Sequence, residues 1–197
     1  MEYVPLSDAG ELEIEYVGTP LDLYSFGMFH LNIQEIIDKV AFGLLSQQGI
    51  LDPTWRRPRY LPARFPPPYR RIVKADMSKV QVGSLLESLT FGIAVVLADP
   101  NVRAVLQNLT ANLIWAMSVS GIRGIVDKSP DFMSGHFPWR QRRDPFEVGP
   151  NLRDIILAVA ENNGGKDSQI TFKSRYRNQQ TVEMTIRITG RENRDHC

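Results

Sequence analysis

The segment from Gln169 to Thr189, QITFKSRYRNQQTVEMTIRIT, constrains the fold more than any other part of the chain. Apolar and polar residues alternate in both of its arms, with Ile170, Phe172 and Tyr176 in the first and Val182, Met184, Ile186 and Ile188 in the second. Period two is the side-chain repeat of a strand, so the segment reads as a β-hairpin. A two-residue turn at Asn178-Gln179 would set even positions opposite odd ones and split the apolar sets between the two faces. A three-residue loop, Asn178-Gln179-Gln180, pairs Tyr176 with Val182, Phe172 with Ile186 and Ile170 with Ile188, and sets Arg175 opposite Glu183. A hairpin with one apolar face needs a covering layer, which the rest of the chain must provide.

The stretch ELEIEYV, residues 11–17, carries the same repeat, with Leu12, Ile14 and Tyr16 on one face and Glu11, Glu13 and Glu15 on the other. The hairpin's polar face bears Lys173, Arg175, Arg177 and Arg187, and opposite charges on neighbouring strands are expected to pair. The covering layer comes from helical patterns. Between Phe29 and Gly49, the residues Ile33, Ile36, Ile37, Val40, Ala41, Leu44 and Leu45 form one stripe, and Gly49 stops it. Asp99-Pro100 is an N-cap followed by proline at the first helical position, and Val102, Val105, Leu106, Leu109, Leu113, Ala116 and Met117 extend the helix to about Gly121. NLRDIILAVAENNGG reads as a short helix with Asn151 as cap, Leu152, Ile155, Ile156 and Val159 inward, and Gly164-Gly165 as stop.

The segments RIVKADM and KVQV read as extended, with a break at Ser78. Residues 84–98 admit two readings. Ser84 with Glu87 matches a capping box, and Leu85, Leu86, Leu89, Ile93, Val96 and Leu97 match a helical stripe, whereas FGIAVVL also matches a buried strand. Helix is the preferred reading. Two membrane spans joined at Asp99-Pro100 are not expected, because the run between Glu87 and Asp99 falls short of the ~20 residues a span needs. The second run contains Gln107, Asn108 and Asn112, which a span would leave without water.

The order of elements predicts a single α+β domain over residues 1–197, a largely antiparallel sheet with helices packed on one face. Two long excursions interrupt it, 52–70 and 127–150, both rich in proline, arginine and aromatic residues. Recurrent proline removes backbone donors and restricts the preceding residue, which explains irregularity but not the accompanying arginines. The whole chain has a net charge of only +1, so any binding of anions must come from local clustering.

That clustering singles out Trp55, Arg56, Arg57, Arg59, Arg64 and Arg70 in the first excursion and Trp139, Arg140, Arg142 and Arg143 in the second. Arginine forks bond carboxylates, carbonyls or phosphates, and tryptophan offers a flat apolar anchor. The expectation is a non-catalytic protein-interaction or self-assembly module, a homo-oligomer or a binder of another protein. Single-stranded nucleic-acid binding through the same residues is the alternative. A purely structural role, with the arginines solvated or paired to Asp127, Asp131, Asp144 and Glu147, competes with both.

No segment carries a strong catalytic signature. Asp131, Ser134 and His136 lack a nucleophile-elbow motif, His30, His136 and His196 lack metal-ligand spacing, and Gly164-Gly165-Lys166 lacks the upstream glycine of a phosphate loop. No metal, cofactor or catalytic residue is therefore expected, and the balance leans away from an enzyme. The sole cysteine, Cys197, permits no internal disulfide, and the acidic opening MEYVPLSDAGELEIEYVG does not resemble a signal peptide, so a cytoplasmic location is the expectation.

Overall fold

The computed structural model describes residues 3–51, 72–81, 85–94, 99–107, 109–126, 148–164, 166–176 and 179–189. In chain order these form β1 (Tyr3–Pro5), a 3-10 turn (Ser7–Ala9), β2 (Glu11–Val17), α1 (Leu23–Gln47), β3 (Val73–Gln81), β4 (Leu85–Ala94), α2 (Pro100–Val105), α3 (Leu109–Val126), α4 (Gly149–Asn162), β5 (Ser168–Tyr176) and β6 (Gln179–Ile188). The strands make one six-stranded sheet in which every pairing is antiparallel. Together with the helices this is the expected α+β architecture.

β4 is the hub. β3 runs along one of its edges, while β1 and then β2 run along the other, the 3-10 turn marking the change of register between them. β5 and β6 continue the sheet beyond β2. The inward face presents Leu12, Ile14 and Tyr16 of β2, Leu89, Phe91 and Ile93 of β4, and Ile170 and Phe172 of β5, all buried. Against it pack Phe29, Ile33, Ile36, Ile37, Ala41 and Leu45 of α1, Leu109, Leu113, Ile114 and Met117 of α3, and Leu152, Ile155 and Val159 of α4.

The preferred helical reading of residues 84–98 is wrong over its described part, because β4 is a strand from Leu85 to Ala94. Odd positions from Glu87 to Ile93 point inward and are buried, whereas Thr90 on the opposite face is exposed. The helical stripe was also present in the sequence, and partners decided between the two: as a strand this segment fills the ladders of β1, β2 and β3 at once. Glu87 is consequently no capping-box residue. The break expected at Ser78 is a β-bulge between Met77 and Lys79 within the continuous strand β3, with Ser78 Oγ donating to Ser88 O at 3.0 Å.

The hairpin forms with a different register. Tyr176 pairs with Gln179, and a bulge between Ser174 and Arg175 shifts the ladder so that Ser174 faces Val182, Phe172 faces Met184 and Ile170 faces Ile186. The short connection alone would put the apolar sets on opposite faces, and the bulge restores the parity that the three-residue loop was expected to provide. Lys173, not Arg175, therefore stands opposite Glu183, and Arg175 stands opposite Gln180.

Three helix boundaries also differ. α1 begins earlier than its apolar stripe, at Leu23, where the Asp22 carboxylate caps it by accepting from the Ser25 N–H at 2.6 Å. The helix expected from Asp99 is two helices: Asp99 caps α2 through the Asn101 N–H, and α3 then runs past Gly121 to Val126. α4 begins at Gly149, within the second expected excursion, and Asn151 is a buried residue of its first turn, not its cap. At its other end Asn163 Oδ1 accepts from the Tyr16 hydroxyl at 2.8 Å and the Thr19 N–H at 3.1 Å, tying α4 to the end of β2.

Two glycines with positive φ test this packing. Gly10 (φ 82) follows the 3-10 turn, and a Cβ there would lie 2.6 Å from Thr110 Oγ1 and 2.9 Å from Arg175 O, whereas Gly49 (φ 68) has nothing within 4 Å. Gly49→Ala is expected to cost only the left-handed backbone penalty, about 1 kcal/mol, and Gly10→Ala about 3 kcal/mol or more, since it adds a clash with backbone. Urea unfolding of both variants measures the difference, and equal costs would contradict the close approach of α3 and β5 to Gly10.

Candidate functional site

The ten residues singled out as partner-binding, Trp55, Arg56, Arg57, Arg59, Arg64, Arg70, Trp139, Arg140, Arg142 and Arg143, lie outside the described residues, as do Asp131, Ser134 and His136. The points where the chain returns from the two arginine-rich segments are described, and α1 holds them. The first segment leaves from Leu51, just past α1, and the chain resumes at β3, where the Gln34 side chain grips the backbone: Nε2 donates to Val73 O at 2.9 Å and Oε1 accepts from the Ala75 N–H at 3.1 Å. The second segment ends at α4, whose Asn151 Nδ2 donates to Asn32 Oδ1 at 2.9 Å and Glu35 Oε2 at 2.7 Å, while its Oδ1 accepts from Lys39 Nζ. Polar residues at 32, 34, 35 and 39 of one helix thus fix both re-entry points.

One turn before this cluster lies a feature the sequence reading missed. Glu87 of β4 is wholly buried, and its Oε2 lies 2.6 Å from His30 Nε2 on α1. The other ring nitrogen, Nδ1, lies 2.7 Å from Phe26 O, which can only accept, so Nδ1 carries a hydrogen. Phe26 and Phe29 flank the imidazole with ring centroids at 4.1 and 5.4 Å. Burial pushes the His30 pKa down, but the bond to Glu87, the bond to Phe26 O and the carboxylate's charge outweigh it, and the pKa lies above the ordinary histidine value. With both N–H groups donating, the imidazolium satisfies Phe26 O and Glu87 Oε2, while the buried Glu87 Oε1 has no hydrogen-bond partner among the described residues. A signal for this pair existed, since Glu87 is in phase with Leu89, Phe91 and Ile93 and a carboxylate on an apolar face requires a donor.

The outward face of the sheet is charged and internally paired, as expected. Lys173 Nζ lies 2.9 Å from Glu15 Oε2 and 3.6 Å from Glu13 Oε1, and Arg175 lies 2.8 Å from Glu13 Oε2. The bond to Glu15 leads in holding the Lys173 pKa above the ordinary lysine value, with burial opposing it and the charges of Glu15, Glu13 and Glu183 adding to it. Arg187 is exposed, and Arg177 lies outside the described residues. An open groove of about 510 Å³ lies where β1 departs from β2, with Tyr3, Glu11, Asp76, Thr90 and Arg175 in its lining. Its charges already have partners within the sheet: Arg175 with Glu13, Asp76 with Lys74, and Glu11 with the Ser78 hydroxyl at 3.5 Å.

Large apolar side chains stand in solvent at Leu23 (88% exposed), Tyr24 (73%) and Trp115 (70%). Among the described residues no group of three or more His, Cys, Asp or Glu side chains is placed to hold a metal ion, and no helix is long and apolar enough to cross a membrane.

The His30–Glu87 pair makes stability depend on pH with a definite sign. The folded chain holds the His30 proton more tightly than the unfolded chain, so the stabilisation is complete below the unfolded value of ~6.5 and is lost as pH rises through the higher folded value. Urea midpoints of the wild type are expected to fall relative to those of His30→Gln as pH rises above ~6.5. At acidic to neutral pH, His30→Ala is expected to cost about 3–5 kcal/mol by stranding the Glu87 carboxylate. Parallel pH profiles for wild type and variant would show that no proton is held at this site.

Compared with known proteins, the chain matches no protein family, no curated protein and no solved structure.

Proposed function

We propose that this chain is a non-catalytic protein-interaction or self-assembly module, and that its arginine-aromatic segments carry the contact. One observation supports the reading most: the chain returns from both segments to anchors on the same stretch of α1, through Gln34 to β3 and through Asn32, Glu35 and Lys39 to α4. A single helix therefore fixes both re-entry points, one on its β3 side and one on its α4 side. Arginine and tryptophan are the residues that dominate binding energy at such surfaces, with tryptophan filling a pocket and guanidinium groups bonding carboxylates or carbonyls. The exposed Leu23, Tyr24 and Trp115 add apolar area of the kind found at contact sites. In this reading the chain works in the cytoplasm, needs no cofactor, and has a protein surface or its own copy as partner.

Light scattering of wild type and the Trp55→Ala/Trp139→Ala double variant, across concentration and at low and high salt, tests the proposal. The double variant is expected to lose an association step, with affinity weakened at least about 30-fold and far-UV circular dichroism unchanged. Identical mass profiles would remove the tryptophans from the interface. A labelled oligothymidine strand in the same experiment covers the nucleic-acid alternative, whose mark is a log affinity that falls with log salt at ~0.7 per contacted phosphate.

A further inference from the structure

We propose that β6 is a self-pairing edge, and that a second copy of this chain adds its own β6 antiparallel to it about Thr185. The inference deepens the self-assembly reading but uses residues other than those of the arginine-aromatic segments. The two long outer strands of the sheet, β3 and β6, are finished differently. β3 is interrupted by the bulge at Ser78, and its free backbone groups at Val73 and Ala75 are taken up by the Gln34 amide. β6 spans ten residues without proline, its pairing is regular from Val182 to Ile188, and among the described residues it pairs with β5 alone. A long, flat edge with unpaired N–H and C=O groups is a template for another strand.

Its side chains select the occupant. Val182, Met184, Ile186 and Ile188 are half-buried on the inward side, while Glu183, Thr185 and Arg187 are exposed on the outward side. A two-fold axis through Thr185 sets Glu183 opposite the second copy's Arg187 and Arg187 opposite its Glu183. The same register sets Met184 opposite Ile186 and Val182 opposite Ile188, so the apolar side continues unbroken across the junction. Centring the axis on Glu183 or on Arg187 would bring identical charges face to face, and centring it on Met184 or Ile186 would leave both charges opposite threonine. Such pairs add little affinity at a wet surface but fix register, and self-complementarity is what a two-fold interface requires.

Charge exchange tests this on the full chain. Glu183→Arg and Arg187→Glu, studied singly, each place like charges opposite one another twice and are expected to raise the dimer dissociation constant at least about tenfold by sedimentation. The double exchange restores complementarity and is expected to return it to within about threefold of wild type, and an equimolar mixture of the two single variants is expected to form a heterodimer. Because Glu183 also faces Lys173 within the sheet, Thr185→Glu is a gentler third variant: it faces neutral Thr171 in its own chain and its own copy at the axis, and is expected to dissociate the dimer with circular dichroism unchanged. A monomeric wild type, or single variants that dimerise as wild type does, would overturn the proposal. A dimer that survives all three β6 variants but is lost in Trp55→Ala/Trp139→Ala would also overturn it and assign assembly to the arginine-aromatic segments. The converse result would keep the edge and set aside the segments.

Discussion

Burial of the Glu87 carboxylate is the constraint around which the helical layer is arranged. β4 has neighbours on both edges, so its backbone is paired and its inward residues are sealed from water. Strand parity puts Glu87 in the same row as Leu89, Phe91 and Ile93, where an unpaired charge would cost several kcal/mol or force neutralisation. His30 answers it from α1, and the 2.6 Å contact sets where that helix crosses the sheet. With His30 fixed, the next turns of α1 bring Gln34 onto β3 and Asn32, Glu35 and Lys39 onto Asn151 of α4. One helix therefore clamps the central strand, an outer strand and a second helix through polar contacts at its rim, while its apolar stripe fills the core.

The two faces of the sheet solve opposite problems. The inward face gains from area removed from water, and the helices are sized to cover it. The outward face sets the carboxylates of β2 against the cations of β5, with Glu13 and Glu15 paired to Lys173 and Arg175. What remains outside this balance is the exposed apolar surface at Leu23, Tyr24 and Trp115, the outer edge of β6 and the density of arginine and tryptophan in the two long segments. These are the features on which the proposed association rests.

Local chemistry made several parts of this architecture legible. Glu11–Val17 has one repeat and one interpretation, and β2 matches it residue for residue. The α1 stripe and its glycine stop, the Asp99-Pro100 start and the pairing of acidic β2 with basic β5 were equally plain, because each depends on neighbours a few residues away or on charge sign. Residues 85–94 were ambiguous for a physical reason: Leu85, Leu86, Leu89 and Ile93 satisfy a helical spacing, while Leu89, Phe91 and Ile93 satisfy a strand spacing. The candidate contact residues were visible only as composition, and no local pattern revealed that α1 would anchor the re-entry from both segments.

The sequence by itself determined which faces are apolar, the stop of α1 at Gly49, the start of α2 at Asp99-Pro100 and which strands carry opposite charges, since periodicity, capping and charge are properties of contiguous residues. Tertiary structure decided that 85–94 is a strand, that the hairpin register is corrected by a bulge at Ser174–Arg175, and that Asn151 is a cross-link and not a cap. Each of these depends on a partner distant in the chain, such as the ladders of β1, β2 and β3 for β4 or Asn32 and Glu35 for Asn151. Backbone pairing and buried polar groups must be satisfied by whatever the fold brings near, and a linear pattern does not contain that proximity.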